Sequence, residues 1–195
     1  MEMEITMKKC ALHSLGCKVN SYETQAMQKM MESAGYEIVP FGEEIADIYI
    51  INTCSVTNIA DRKSRQMIHK AKKLNPEAVV AAAGCYVESA GDNIDEDVDI
   101  VIGNNEKSHL IEILNEYFEH MDKEKSVDIG KATGFDELNI DSPLEHTRAY
   151  VKIQDGCNRF CSYCIIPYVR GRIRSRKPDD VMAEIKRVAA SGCKE

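Results

Sequence analysis

Short apolar runs alternate with longer amphipathic stretches along this chain, and that alternation is its strongest constraint on fold. Four runs are predicted to be strands: Lys9–Ser14, Asp47–Ile51, Ala78–Ala83 and Asp99–Ile102. Continuous apolar runs of this length are typical of strands that are buried on both faces. Strands that alternate with helices form a parallel sheet covered by helices on both sides. We therefore predict an α/β domain with a Rossmann or flavodoxin-like parallel sheet.

Helices are predicted between these strands. Asn20 and Glu23 form a candidate N-cap pair for the first helix, which Gly35 would end. Asn58 opens the second helix, and Pro76 ends it. The third helix carries an apolar stripe that we interpret as core rather than as a cofactor-binding surface. The stripe consists of Leu110, Ile111, Leu114, Tyr117, Phe118 and Met121.

Cys17, Cys54 and Cys85 each follow a predicted strand. In parallel sheets the loops after the strands gather at one edge, where ligands bind. We therefore expect these three cysteines to converge, although neighbours among them are more than thirty residues apart. Cys10 lies inside the first strand and Cys193 follows a helix, so both are predicted to be buried small hydrophobes.

A second set of three cysteines, Cys157, Cys161 and Cys164, lies within eight residues. Three thiolates this close together can hold three irons of an iron–sulfur cube. The fourth iron would then be open to a ligand that is not protein. A structural zinc site needs four protein ligands, and His146 and Cys193 are the nearby candidates for the fourth. The open cluster is the favoured interpretation, and a zinc knuckle is the alternative.

Charge is divided unevenly along the chain. The formal total is −7, but residues 149–195 carry ten Lys or Arg against five Asp or Glu, so residues 1–148 carry −12. If the basic stretch 170–177 is extended, its alternate arginines share one face and could grip RNA phosphates. Those arginines are Arg170, Arg172, Arg174 and Arg176. In the alternative interpretation, some of them pair with Asp179, Asp180 or the acidic first domain, or brace the cysteine loop.

The remaining composition predicts a cytoplasmic globular protein without a membrane partner. The segment Met1–Lys9 has no hydrophobic signal core, and no stretch approaches the roughly 18 apolar residues that span a membrane. With 44% hydrophobic residues, the chain can build a core without disulfides.

Three regions are predicted along the chain. Residues 1–121 form the α/β domain, and the charged, turn-rich residues 122–148 form a linker. Residues 149–195 hold a predicted strand at Ala149–Gln154, the cysteine loop and a predicted helix at Pro178–Ala190.

The cysteine loop, with Tyr163 directly before its last cysteine, resembles the signature of the radical S-adenosylmethionine enzymes. Three further stretches, Leu15–Glu23, Ile51–Asn58 and Ala83–Cys85, extend the resemblance to the radical S-adenosylmethionine methylthiotransferases. The resemblance implies two [4Fe–4S] clusters, an auxiliary one in the first domain and one that binds S-adenosylmethionine. The implied ligands are Cys17, Cys54 and Cys85 for the auxiliary cluster, and Cys157, Cys161 and Cys164 for the other, with Tyr163 near the adenine.

The resemblance also implies the chemistry and the partners. One S-adenosylmethionine methylates a sulfur at the auxiliary cluster, and another is split by an electron from a donor to give a 5′-deoxyadenosyl radical. The radical removes a hydrogen from an unreactive carbon, to which the methylthio group is delivered. Three substrates are implied: threonylcarbamoyl-adenosine in tRNA, isopentenyl-adenosine in tRNA, and an aspartate of a ribosomal protein. The stretches Cys17–Asn20, Thr57–Gln66, Cys164–Tyr168 and Arg172–Arg176 most resemble the threonylcarbamoyl-adenosine enzymes.

Members of this family continue beyond the cluster motif with the rest of a partial barrel and an RNA-binding domain. A complete (β/α)8 barrel takes about 250 residues, whereas 47 residues follow Arg148 here. Residues 149–195 are therefore expected to be the truncated start of the radical domain, the first βα unit of a partial TIM-type barrel. The 195-residue chain alone is expected to be inactive. Two interpretations from other classes stay open, namely an iron–sulfur electron carrier and a zinc-bearing RNA-binding module.

Overall fold

A computed structural model of the protein describes residues 8–120, 134–140 and 148–195. Its first part contains the strands β1 (Lys9–Ser14), β2 (Glu37–Ile38), β3 (Ile48–Thr53), β4 (Val79–Gly84) and β5 (Ile100–Ile102). They form one parallel sheet in the order β2-β1-β3-β4-β5. This order is flavodoxin-like, and it confirms the predicted α/β fold. The strand β2 was not predicted, because two residues carry no periodic signal.

Helices cover both faces of this sheet. They are α1 (Lys18–Ser33), α2 (Asn58–Leu74), α3 (Cys85–Ala90) and α4 (Leu110–His120). Short 3-10 turns at Gly91–Asn93 and Lys107–His109 complete the first part. The predicted N-cap pair is wrong, because α1 begins at Lys18 and both Asn20 and Glu23 are buried inside it.

The central strand β3 shows how the core is divided, since all six of its residues are buried. Ile48 and Ile50 pack with α1 and α4, whereas Tyr49 and Ile51 pack with α2 and α3. Burying one such side chain stabilises the fold by about 1.5–3 kcal/mol. The α4 stripe is core, as predicted, with Leu110, Leu114 and Tyr117 buried and Ile111 and Phe118 packed beside them; Met121 lies outside the described residues.

The second part is smaller. It consists of β6 (Gln154–Asp155), α5 (Ile166–Val169), β7 (Arg174–Ser175) and α6 (Pro178–Ala190). The strands β6 and β7 pair antiparallel through Gln154 and Ser175. The predicted strand Ala149–Gln154 is wrong for residues 149–153, because within this stretch only Gln154, the first residue of β6, pairs with another strand. The helix α6 lies where it was predicted.

A third hydrophobic cluster joins the two parts. Tyr22 and Ala26 of α1 meet Val188 of α6, and Leu138 and Ile140 lie between them. The hydroxyl of Tyr22 donates a hydrogen bond to the Leu138 carbonyl at 2.6 Å. Residues 134–140 of the predicted linker therefore pack against both parts, whereas residues 122–133 and 141–147, including His146, lie outside the described residues. None of the helices described here is long and apolar enough to cross a membrane.

Candidate functional site

The first cysteine triad, Cys17, Cys54 and Cys85, lies at the carboxyl edge of the sheet. Cys54 and Cys85 directly follow β3 and β4, whose last residues Thr53 and Gly84 are register partners. The loop after β1 joins them, because the Leu15 amide donates to the Asn52 carbonyl at 2.9 Å. The predicted convergence of the three strand-end loops is thus confirmed. Cys17 and Cys54 flank the boundary between β1 and β3, which is the topological switch point at which α/β sheets of this strand order bind ligands.

Two glycines allow this close approach. Gly16 and Gly84 have φ of 98° and 94°, a region that side chains with a Cβ rarely adopt. A Cβ on Gly16 would lie 2.6 Å from the Cys54 sulfur. A Cβ on Gly84 would meet the carbonyl oxygen of Thr53. Cys54 and Cys85 are only 3% and 2% exposed, whereas Cys17 is exposed to solvent.

The amide of Asn20 ties the loops of the first triad together. Its Nδ2 donates to the carbonyls of Leu15 and Thr53 at 2.7 and 2.8 Å. Asn52 donates in turn to the Asn20 carbonyl at 3.0 Å. Asn20, which the sequence suggested as a helix cap, therefore sets the spacing between the loops that carry Cys17 and Cys54.

The second triad, Cys157, Cys161 and Cys164, sits in a surface loop. The Cys157 amide donates to the Gly171 carbonyl at 3.0 Å, and the Cys164 amide donates to the Cys161 carbonyl at 2.9 Å. Phe160 adopts a φ of 47° and packs edge-on against Tyr168, with Arg172 over its ring. Tyr163, the predicted adenine neighbour, is 91% exposed.

One histidine and two aspartates form a further candidate metal site in the first part. Among the described residues, three potential ligand atoms come within 4.8 Å of one another at His69, Asp95 and Asp97, and not at either cysteine triad. Both ring nitrogens of His69 contact carboxylates there, at 2.7 and 3.2 Å, and the bond to Asp97 raises the pKa of His69. We therefore interpret His69, Asp95 and Asp97 as a cluster of ion pairs rather than as a metal site.

The structure corrects the prediction of a row of phosphate-binding arginines. Arg170, Arg174 and Arg176 are buried rather than presented to solvent. Arg176 pairs with Glu184 and Glu137, and Arg174 donates to the carbonyls of Arg170 and Arg172. Residues 170–173 are not a strand, so the alternate arginines do not share an outer face. Arg172 is exposed, and for it phosphate contact stays a prediction.

A buried ionic network, which sequence reasoning missed, joins α1, which follows Cys17, to residues on either side of the second triad. Glu23 is fully buried and accepts hydrogen bonds from Lys107 and Lys152 at 2.8 Å and from Arg170 at 2.9 Å. Asp155, two residues before Cys157, pairs with Lys152 at 2.7 Å and with Arg170 at 3.1 Å. The same guanidinium donates to the Asn20 side-chain oxygen at 2.8 Å.

The network sets its own protonation states. Burial alone would raise the pKa of Glu23, but Lys107, Arg170 and Lys152 hold it well below the usual value. The pKa of Asp155 is likewise lowered by Arg170 and Lys152 against the effect of burial. Both carboxylates are therefore ionised. A signal for Glu23 existed in the sequence, since the spacing to Met27 and Met31 places it on the core face of α1.

The thiols differ in ways that separate candidate ligands from packing residues. Burial raises the pKa of the Cys10 thiol to about 12, and Cys10 is a core residue, as predicted. Burial also raises the pKa of Cys85, but Arg170 and Lys107 oppose it. Arg170 and Lys107 reduce this rise of the Cys85 pKa without reversing it. Cys193 packs beside the third hydrophobic cluster and donates to the Glu195 carbonyl at 3.2 Å.

The structure thus combines an α/β domain that carries three cysteines at the carboxyl edge of its sheet with a second part that carries three cysteines in one loop. Residues 9–103 match the model described as uncharacterized protein family UPF0004, and residues 151–195 match the radical SAM superfamily. The first match contains Cys17, Cys54 and Cys85, and the second contains Cys157, Cys161 and Cys164.

The chain is also similar to named proteins. The chain is 42% identical to threonylcarbamoyladenosine tRNA methylthiotransferase MtaB of Bacillus subtilis, over 97% of this chain and 42% of that protein. It is 42% identical to the protein of the same name from Aquifex aeolicus, over 96% of this chain and 46% of that protein. A tRNA-2-methylthio-N(6)-dimethylallyladenosine synthase from Photorhabdus laumondii is 34% identical, over 97% of this chain and 41% of that protein. This chain is similar to radical SAM methylthiotransferases over nearly all of its own length, and it spans less than half the length of these relatives.

Proposed function

We propose that the protein is an enzyme that places a methylthio group on C2 of threonylcarbamoyl-adenosine in tRNA by radical S-adenosylmethionine chemistry. The observation that carries this proposal is the presence of two cysteine triads in parts that one buried ionic network joins. Three cysteines leave the fourth iron of a cube without a protein ligand. Two such triads suit a reaction that binds S-adenosylmethionine at one cluster and a sulfur source at the other. The names of the relatives at 42% identity support the same substrate.

The first triad would hold an auxiliary [4Fe–4S] cluster. The residues fit this group, because Cys54 and Cys85 are buried, Arg170 and Lys107 lie near the Cys85 sulfur, and Gly16 has no side chain to fill the space beside the Cys54 sulfur. Water is kept from the buried side of the site by the sheet itself. Cys17 closes the triad from the solvent side, where a sulfur acceptor or donor could reach it.

The second triad would hold the cluster that binds S-adenosylmethionine. Cys157, Cys161 and Cys164 would hold this cluster, and once reduced by an electron donor it would supply the electron that splits S-adenosylmethionine into methionine and a 5′-deoxyadenosyl radical. Tyr163 is exposed next to Cys164 and would contact the adenine, as the family resemblance implies. Arg172, exposed in the same part of the chain, would contact the tRNA backbone.

The relatives also support the partners and setting. Their names specify tRNA, so tRNA is the proposed substrate and the cytoplasm the proposed location. A methylthiotransferase for isopentenyl-adenosine is the second candidate, which relatives at 34% identity favour less strongly.

Deletion of the gene tests the substrate. The nucleosides of total tRNA are separated and identified by mass spectrometry. The deletion strain should lack the 2-methylthio form of threonylcarbamoyl-adenosine and keep the unmethylthiolated form. The 2-methylthio form of isopentenyl-adenosine should be unaffected. Loss of the latter alone would support the second candidate, and retention of both would refute the proposed activity.

The cofactors are tested on the purified chain. Anaerobic reconstitution should load about eight irons per chain, four for each cube. S-adenosylmethionine should change the electron paramagnetic resonance spectrum of the reduced protein. Zinc in place of iron would favour the RNA-binding module. A spectrum that S-adenosylmethionine does not change would favour the electron carrier.

A further inference from the structure

Arg170 touches the elements that carry both cysteine triads. On the side of the first triad it donates to Asn20 at 2.8 Å and to Glu23 at 2.9 Å, and both lie within six residues of Cys17. On the other side it donates to the two oxygens of Asp155 at 3.1 and 3.2 Å. One buried guanidinium therefore spans the gap between the two candidate sites.

The same guanidinium also faces a sulfur. The helix α5 ends at Val169, directly before Arg170, and packs against α3, which begins at Cys85. Asn104 fixes this junction by donating to the Val169 carbonyl at 2.7 Å. The Arg170 and Lys107 cations lie close enough to the Cys85 sulfur to oppose the rise of its pKa on burial, and the Asn20 side-chain oxygen that accepts from Arg170 at 2.8 Å also accepts from the Cys17 sulfur at 3.9 Å.

The charges of the network do not cancel. Among the residues that the structure describes, the three cations Lys107, Lys152 and Arg170 pair with two carboxylates, Glu23 and Asp155. Arg174 adds further positive charge 4.0 Å from Asp155. A buried surplus of positive charge is costly unless an anion compensates it. A cluster held by three thiolates would bring negative charge to this place.

We propose that Arg170 is a positioning residue that holds a fixed positive charge against Cys85 and raises the reduction potential of a cluster on the first triad. Net charge and hydrogen bonds to the sulfurs are among the factors that set such potentials. A nearby cation favours the reduced cluster, which carries one more negative charge. This inference rests on the proposed function, because it requires a cluster on Cys17, Cys54 and Cys85.

A redox titration of a single-cluster protein tests the inference. The chain with Cys157, Cys161 and Cys164 replaced by Ala keeps only the first triad, so its spectrum reports one cluster. Arg170→Met should make one-electron reduction about tenfold less favourable, a shift of about 59 mV to lower potential. Arg172→Met removes the same charge from an exposed position nearby and should leave the potential unchanged.

A second variant covers the case in which Arg170→Met does not fold. Glu23→Gln keeps the shape of the side chain, removes a negative charge from the network, and should shift the potential in the opposite direction. An unchanged potential in either folded variant would overturn the inference. Absence of iron from the single-cluster parent would instead refute the auxiliary site of the proposed function, so the two failures are distinguishable.

Discussion

The two cysteine triads are built in opposite ways. Cys17, Cys54 and Cys85 are distant in sequence, yet the ends of adjacent strands hold them, and two of the three are buried. The second triad lies within eight residues, yet its loop is on the surface, and Cys161 is exposed. Closeness in sequence and structural support are therefore separate properties of a metal site.

The difference has a thermodynamic consequence. The folding of the sheet already brings the loops of the first triad together, so metal binding has little chain entropy left to overcome there. The second loop is held by a few backbone hydrogen bonds, such as that from Cys157 to Gly171. More of its ordering must occur when the metal binds. We therefore expect the first triad to hold its cluster more tightly.

Cysteine replacement gives the largest expected effect. Ala at any of Cys17, Cys54 or Cys85 should remove about four of about eight irons, because one cube is lost. Ala at any residue of the second triad should remove the other four. Iron and sulfide analysis after anaerobic reconstitution measures both. On dilution into a chelator, the protein that retains only the first triad should lose iron more slowly than the protein that retains only the second.

Cys10 and Cys193 supply the matched controls. Cys10→Ala and Cys193→Ala should keep the full iron content, with a packing cost of about 1 kcal/mol. Equal iron loss from all eight replacements would mean that the metal is bound adventitiously. Equal retention by both triads would remove the contrast between them.

The network that joins the two parts predicts the next largest effect. Glu23→Ala leaves Lys107, Lys152 and Arg170 buried with one carboxylate fewer, which should lower the free energy of unfolding by about 3–5 kcal/mol. Denaturant unfolding measures this loss. Glu32→Ala removes an exposed carboxylate from the same helix and should change stability by less than about 0.5 kcal/mol. Similar values for the two variants would show that the two parts do not depend on the network.

Acid should weaken the same junction. The pKa of Glu23 is lowered in the folded protein, so its ionised form stabilises the fold above the unfolded value of about 4.5. This stability is lost as the pH falls through the folded pKa. As the pH falls below about 4.5, the wild type should therefore lose more stability than Glu23→Gln does, as measured by unfolding at each pH. Parallel curves would exclude Glu23 as the acid-sensitive group.

The sheet and the first triad could be predicted from sequence because their signals are local. Each of Cys17, Cys54 and Cys85 follows an apolar run, and the rules of parallel sheets bring such positions together. The pairing of Glu23 with Arg170 joins residues 147 positions apart, and no local pattern reports such a pair. Ala149–Gln154 alternates in polarity as a strand does, but residues 149–153 do not form the predicted strand, because a strand also needs a partner.

Glycine replacement compares the two triads at equivalent positions. Gly84 and Gly156 precede Cys85 and Cys157, both have positive φ, and an added Cβ would meet a backbone carbonyl at each. Gly84→Ala should cost about 1–3 kcal/mol and release iron from the first triad. Gly156→Ala should release iron from the second triad with a smaller loss of global stability. Gly35→Ala has positive φ but open space, so a cost of about 1 kcal/mol with full iron content is expected. Iron loss in Gly35→Ala would show that backbone strain alone disturbs the clusters.

The smallest expected effect concerns His69, an exposed residue of the first part that belongs to neither triad. Its hydrogen bond to Asp97 raises the pKa, so the charged imidazolium stabilises the fold below the unfolded pKa of about 6.5. That contribution is lost as the pH rises through the folded pKa. Because the pair is exposed and screened, His69→Gln should cost no more than a few tenths of a kcal/mol at pH 6, and less at pH 8. Asp97→Asn should remove the difference between the two pH values, and 1 M salt should reduce it. Iron content should be unchanged in both variants, since neither side chain contacts a cysteine loop; iron loss would mean that the first site depends on the surface of its domain as well as on the sheet edge.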